Sequence, residues 1–429
     1  MSVIRPFAAI RYAADKSSDL SALLSPPYDI LDDCDKAALL GRHPNNFVKI
    51  DLPHTPPKSA GPPEAYEGSR ATLERWLREG VMVRDARPAI YAYHQAYTLR
   101  GTTCVRKMFF ARLRLEPFGQ GSVFPHERTF GGPKEDRLAL TKATRANLSP
   151  IFGLYEDASN EVARRLERGL AERPQVFGTL DGVENRLWAV TDPATIADVT
   201  RLMQPKPIYI ADGHHRYGTG LLYRDWLIGR DGPLPAEHPA NYVLCVFCAM
   251  EDPGLVILPT HRVLPGIDVG PHVFDNDAKV TVAALAAGSA SEAVRRLAAF
   301  GPQAVACFAG RTGTYHVVRP ASPTILDQLE PDRTPAWRRL ALAFLHAYVL
   351  DRVVTPRLAG GSALEVKYIK ADDEAVQLAR QTNGTAFLMQ PTTMEELRSV
   401  CSAGDLMPQK STYFYPKLAS GLVINPLSE

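Results

Sequence analysis

The segment from Ile208 to Tyr217, IYIADGHHRY, constrains this chain more than any other. An apolar triplet, Ile208, Tyr209 and Ile210, reads as a buried strand. Tyr217 to Gly229 (YGTGLLYRDWLIG) reads as a helix that follows almost at once. Between them the backbone must reverse its geometry within a few residues. Gly213 is the residue type that reaches conformations closed to side chains bearing a Cβ. Backbone N–H groups at a helix start lack intrahelical acceptors and carry partial positive charge, which suits a phosphate. His214, His215 and Arg216 add side-chain donors there, and a guanidinium grips phosphate through two parallel bonds. Asp212 stands where it can cap the helix, hold a metal ion or hold a substrate hydroxyl. The bland alternative is an N-cap aspartate beside a polar histidine loop.

The rest of the chain bounds what such a turn can serve. With 429 residues the length suits two or three domains, or one large domain with extensions. Lys and Arg total 49 against 47 Asp and Glu, a net of +2, so the basic excess of a dedicated nucleic-acid binder is missing and no nucleic-acid partner is expected. The six cysteines, at positions 34, 104, 245, 248, 307 and 401, have the spacing of neither a disulfide framework nor a zinc site. Cys245 and Cys248 lie in the apolar run VLCVFCAM and read as packing residues on opposite faces of a strand. The segment MSVIRPFAAIRY lacks a signal-peptide core, and no apolar run reaches the roughly 20 residues that span a bilayer. These features predict a soluble, cytoplasmic, reduced protein without a membrane partner.

Strand and helix patterns alternate, which argues for α/β or α+β architecture. The stretch 47–52 reads as a short strand, and 89–115 as a β-hairpin turning at RGTT. Residues 136–147 and 160–172 read as helices, and 186–190, 207–211 and 241–250 as strands. Beyond about 265 helices dominate (290–300, 335–354, 373–382), with strands near 304–308, 314–318 and 385–390. A boundary near 265 follows.

A second polar cluster, Phe124–Pro125–His126–Glu127–Arg128–Thr129, precedes Lys134, Asp136 and Arg137. It reads as either a second set of site residues or a surface salt-bridge loop. In SPPYDI, prolines fix a rigid turn that offers Tyr28 and Asp29 as substrate-binding candidates, Asp29 for a substrate amino group or Mg2+, or the segment is simply a turn. In QKSTYFYPK, Lys410, Ser411, Thr412 and Lys417 form either an anionic-ligand pocket or a structural strand, with Tyr413 and Tyr415 on one face and Phe414 on the other. Arg145, at the end of a helix, is a candidate phosphate or carboxylate partner. Thr260, His261 and Arg262 end an apolar segment, a common place for site residues.

DGHHR after a short apolar strand resembles the signature of the ParB/sulfiredoxin-like fold. That fold includes chromosome-partitioning CTPases, sulfiredoxins and free-serine kinases that use ADP or ATP. The partitioning proteins read like GERR here, the sulfiredoxins GGCHR, and the serine kinases DGHHR. The last is most similar, since His214 stands where sulfiredoxin chemistry needs a cysteine. Over nearly its whole length the chain also resembles the domain-of-unknown-function family numbered ten-fifteen, through SPPYDI, PHERT, TRANLSPIF, ADGHHRY, EDPGLVILPT and MPQKSTYFYPKLASGL. The resemblances imply a ParB/sulfiredoxin-like core at 89–265, an N-terminal extension at 1–88, and a C-terminal α/β extension at 266–429 packed on the core. They imply Glu127 as general base and a kinase that takes ATP or ADP with Mg2+ and phosphorylates a small hydroxyl compound such as serine. In that reading His126, Arg128, Arg145 and the DGHHR turn hold phosphates, and Asp212 orients the acceptor or the metal. A nucleotide-hydrolysing switch and a phosphoester hydrolase are the alternatives. GxxxxGK[ST], HExxH, GxSxG and the protein-kinase motifs are all absent from the sequence.

Overall fold

The apolar run at 241–250 decides the layout of the larger part of the chain. All eight residues of its strand, Tyr242–Ala249, are buried, so it belongs at the centre of a sheet covered on both faces. The computed structural model describes residues 1–57, 59–127 and 131–428 and gives it that position. In chain order the strands of this sheet are β1 (Ile4–Arg5), β2 (Ile90–Leu99), β3 (Thr102–Arg114), β4 (Val123–Phe124), β5 (Ile151–Tyr155), β6 (Val176–Leu180), β7 (Val183–Val190), β8 (Ile208–Asp212) and β9 (Tyr242–Ala249). Their spatial order is β4-β8-β5-β9-β3-β2-β7-β6, and β1 pairs with β3. The pairs β4–β8 and β5–β9 are parallel and the others antiparallel, so the sheet is mixed.

The predicted hairpin is β2–β3, with Leu99 opposite Thr102. Its two turn residues, Arg100 and Gly101, both have positive φ (50° and 79°), the geometry that matches the strand twist. One face of the sheet carries a core that includes Phe109, Ile151, Ile208, Tyr217 and Phe247. Phe109 stacks on Phe247 with ring centroids 5.0 Å apart. Cys245 and Cys248 are buried free thiols, as their setting on an apolar strand predicts.

Four helices matter for the site: α1 (Val48–Asp51), α2 (Pro63–Arg78), α3 (Gly131–Thr144) and α4 (His214–Asp231). The segment read as a strand at 47–52 is therefore helical. Phe47, Val48, Ile50 and Leu52 are all fully buried, and a short run buried on every side has no periodicity to separate strand from helix. Asn46 settles the matter locally. Its amide donates to the carbonyls of Ala22 and Leu24, and its Oδ1 accepts from the Val48 N–H at the helix start. α4 also begins earlier than the pattern suggests, at His214 rather than Tyr217.

The chain divides into two compact units, Met1–Val256 with Pro416–Glu429, and Ile257–Tyr415. This division differs from boundaries at 88/89 and 265/266. Residues 1–88 share the first unit with the large sheet, and the C-terminal stretch returns to that unit. There Ser420 bridges to Ser25, Ile424 to Ile10 and Asn425 to Asn147. Such long-range pairing leaves no mark in local sequence.

The second unit holds a six-stranded antiparallel sheet. Its strands are β10 (His261–Leu264), β11 (Val280–Ala284), β12 (Val305–Ala309), β13 (Thr314–Pro320), β14 (Lys367–Ile369) and β15 (Thr385–Leu388), in the order β11-β13-β12-β15-β10-β14. Helices thus share this unit with a full sheet rather than dominating it. The helix expected over 335–354 is broken into Pro335–Arg338, Ala341–Ala343 and a π-helical run, Phe344–Val354. Buried residues lie all round that run, so packing and not a single apolar stripe sets its winding. Among the described residues no helix is long and apolar enough to cross a membrane.

Phe247→Ala should destabilise the larger unit by about 3–5 kcal/mol through lost burial and the cavity left against Phe109. Urea denaturation followed by fluorescence checks this; a loss below about 1 kcal/mol would mean the site collapses freely.

Candidate active site at the turn from β8 to α4

Gly213 makes the turn with φ 87° and ψ 28°, in the left-handed region. A Cβ at that position would also meet the Arg216 guanidinium at 3.0–3.1 Å and the Cα of Ile151 at 3.1 Å. The glycine is thus demanded by backbone angle and by space together. It lets β8 run directly into α4 and brings Arg216 back over the strand end.

The Asp212 carboxylate takes two hydrogen bonds and one longer ion pair. Oδ1 accepts from the Gly213 N–H at 2.9 Å and lies 3.7 Å from Arg216 Nη2, while Oδ2 accepts from Lys417 Nζ at 2.9 Å. Burial by itself would raise this carboxyl, but Lys417 and Arg216 outweigh it and hold Asp212 well below the usual carboxylate range. Burial acts on Arg216 in the opposite sense, yet Asp212, Tyr28 and Asp29 together raise it further. Arg216 also donates to the Pro150 carbonyl.

The two histidines of the turn differ. His214 is 6% exposed, and its Nε2 accepts from the His126 backbone N–H at 3.2 Å. Burial, with His126 next, pushes its basicity well down, so the ring is neutral with its proton on Nδ1. His126, packed edge-on against it at 4.5 Å between centroids, donates from Nδ1 to the Ile210 carbonyl at 2.6 Å. His215, one residue on, is half-buried. Successive helix residues point about 100° apart, so His214 turns toward β4 while Arg216 turns toward the β5 side.

Parallel pairing of β4 with β8, Val123 opposite Ile208 and Phe124 opposite Tyr209, brings both strands to an end on the same side of the sheet. His126 and Glu127 follow β4 there, and Glu127 Oε1 is 3.9 Å from His126 Nε2. Arg128 lies outside the described residues. Arg145 is exposed, with φ 50°, and lines a separate groove with Glu67 and Arg70. It is not among the residues that gather at Arg216.

Behind Arg216 lies a cavity of about 30 Å3, room for a water molecule, lined in part by Tyr28, Asp51, Arg137 and Ser149. Tyr28 is buried with its ring 3.8 Å from the Arg137 guanidinium, whereas Asp29 beside it is exposed. Ser149 Oγ donates to Asp51 Oδ2 at 2.5 Å, and Arg137 Nε donates to Asp136 Oδ2 at 2.6 Å. Of these lining residues the sequence singles out Tyr28 and Arg137 but not Asp51 or Ser149. Ser149 lies within the TRANLSPIF stretch, and that was its one available signal. Asp51 was hidden in a segment misread as a strand.

The KSTYFYPK segment is divided by the fold. Lys417 belongs to the first unit and holds Asp212; Lys410, Ser411 and Thr412 belong to the second. There Ser411 is buried with its hydroxyl on the Pro408 carbonyl, and Lys410 is exposed. His261 and Arg262 are buried on β10, His261 against Asp372 at 2.8 Å. Among the described residues no group of three or more His, Cys, Asp or Glu side chains could hold a metal ion. With an ammonium on one oxygen and a guanidinium near the other, Asp212 does not fit a resident Mg2+.

A family model described as a protein of unknown function (DUF1015) matches residues 4–330. No curated protein matches the chain. Solved structures match at low similarity. A conserved hypothetical protein from Pyrococcus furiosus is 13% identical, covering 70% of this chain and 91% of that one, with a TM-score of 0.34. A free serine kinase variant in complex with AMP is 12% identical, with 70% and 89% covered and a TM-score of 0.34. SbnI with a C-terminal truncation, from Staphylococcus aureus, is 12% identical, with 71% and 84% covered and a TM-score of 0.34.

Asp212→Asn should cost roughly 1–3 kcal/mol at pH 7, because it leaves Lys417 and Arg216 beside an uncharged amide. A carboxyl depressed in the folded state stabilises above its ordinary value of 3.8 and loses that contribution as pH falls through its folded value. The stability gap between the two proteins should therefore begin to narrow below about pH 4 and go on narrowing as pH falls toward the folded value. A gap independent of pH in chemical denaturation would show that charge plays no part.

Proposed function

The chain belongs to the DUF1015 family, and from that premise we propose that it is a nucleotide-dependent phosphotransferase acting on a small hydroxyl compound. The observation that carries the proposal is the common end of β4 and β8. It supports a general base, Glu127, next to a turn rich in phosphate-binding donors. The first-turn amides of α4, together with Arg216 and His215, would offset the charge of the nucleotide phosphates. Lys417 adds a further cation and keeps Asp212 ionised. Asp212 then orients Arg216 and Lys417, and His214 and His126 fix the distance between the base and the turn.

In the step so assigned, the acceptor oxygen attacks the terminal phosphorus of ATP or ADP. The new O–P bond forms as the bond from phosphorus to the bridging oxygen breaks. The hydroxyl proton passes to the Glu127 carboxylate, and the shortened nucleotide leaves with the bridging electron pair. Mg2+ neutralises phosphate charge in such reactions; no residue here is assigned to hold it. Free serine is the acceptor suggested by the DGHHR resemblance, and the protein is proposed to work in the cytoplasm.

Nucleotide consumption should then depend on an added hydroxyl acceptor, with serine the first to test. Glu127→Gln should lower kcat by about 10²- to 10⁴-fold with an unchanged melting temperature. Full activity in that variant would remove Glu127 from the mechanism. Hydrolysis at the same rate with and without acceptor would overturn the transferase reading in favour of a nucleotide switch.

A further inference from the structure

The second unit contains a cleft of about 840 Å3, unconnected with the reading above, since every residue lining it belongs to Ile257–Tyr415. Edge strand β11 supplies one wall through Val280, Val282 and Ala284. The segment Phe274–Ala278 supplies the other, with two carboxylates, Asp275 and Asp277. Among the described residues no Lys or Arg side chain lines the cleft.

Its inner end is His316, on β13 opposite Ala284. This imidazole is 2% exposed, and among the described residues neither ring nitrogen has a hydrogen-bond partner. Buried polar groups are nearly always paired, so an orphaned imidazole beside a large cleft points to a partner that is not part of the chain. Burial, with His272 next, lowers its pKa to about 4, so it is neutral at pH 7 and one nitrogen is an acceptor. Asp277 is held in place by Tyr348, whose hydroxyl is 2.9 and 2.8 Å from its two oxygens. Tyr348 lies on the π-helical run, an irregularity common where a helix serves a site.

We propose that this cleft binds a small organic amine, its ammonium held by Asp275 and Asp277 with His316 as acceptor, and its apolar body laid along Val280, Val282 and Ala284. Carboxylates without neighbouring cationic lining select a cation, and the apolar wall selects one with a hydrocarbon body over a bare metal ion. An anion is disfavoured by the same two carboxylates.

Calorimetric titration of the full-length chain at pH 7.5 tests this with phenethylamine and cadaverine, against phenethyl alcohol and phenylpropanoate. Saturable binding of at least one amine, about tenfold or more tighter than the alcohol, is expected. Ala284→Leu, an exposed edge position, should narrow the cleft and abolish that binding, and Asp275→Asn should weaken it. Thermal melts of both variants should match the parent. The proposal is overturned if neither amine saturates, if the alcohol or the carboxylate binds as well, or if both variants bind like the parent. None of these outcomes depends on phosphotransferase activity, so the two readings fail separately.

Discussion

One carboxylate ties the first unit together. Asp212 ends a buried strand, and its two oxygens are met by the amide of the next residue, a guanidinium one helical turn on, and an ammonium from the far end of the chain. A charged group so close to the interior is tolerable only because its partners are present and well placed. Strand, helix and returning tail therefore meet at one anion, alongside the bridges that pair the tail with Ser25, Ile10 and Asn147. The same arrangement leaves a cluster of positive and donor groups at the sheet end, which is what a phosphate-bearing ligand requires.

That cluster rests on constraints that are partly steric. Gly213 has a positive φ and almost no space for a Cβ against Arg216 and Ile151. The neighbouring histidines are less interchangeable than their adjacency suggests. His214 is a buried, neutral acceptor that holds the segment after β4, whereas Arg216 turns to the opposite side and lines the cavity with Tyr28 and Asp51. Side chains two apart on a helix diverge, so a run of polar residues at a helix start divides between opposite sides of the helix.

The sequence made the strand–glycine–helix turn legible because each part of it is local: apolar residues, a glycine, then a helical pattern. The β2–β3 hairpin and the central apolar strand β9 were legible for the same reason. Tyr28, which lines the cavity beside Arg216, was legible through a proline-stiffened turn. Asp51 escaped because a short run buried on all sides has no periodicity, and Lys417 was grouped with Lys410 through sequence proximity although the two belong to different units. Arg145 looked like a phosphate partner by type alone, but its left-handed backbone and exposed side chain belong to another groove.

What the amino-acid sequence determined by itself was the α/β class, the turn and the residue types gathered at it, since these follow from periodicity and backbone allowance over a few residues. Tertiary structure alone decided that the C-terminal stretch returns to pair with the N-terminal one, that Lys417 meets Asp212, and that His316 is left unpaired beside a cleft. Each of these joins positions far apart along the chain. Such contacts depend on which surfaces pack together, and no local pattern encodes that.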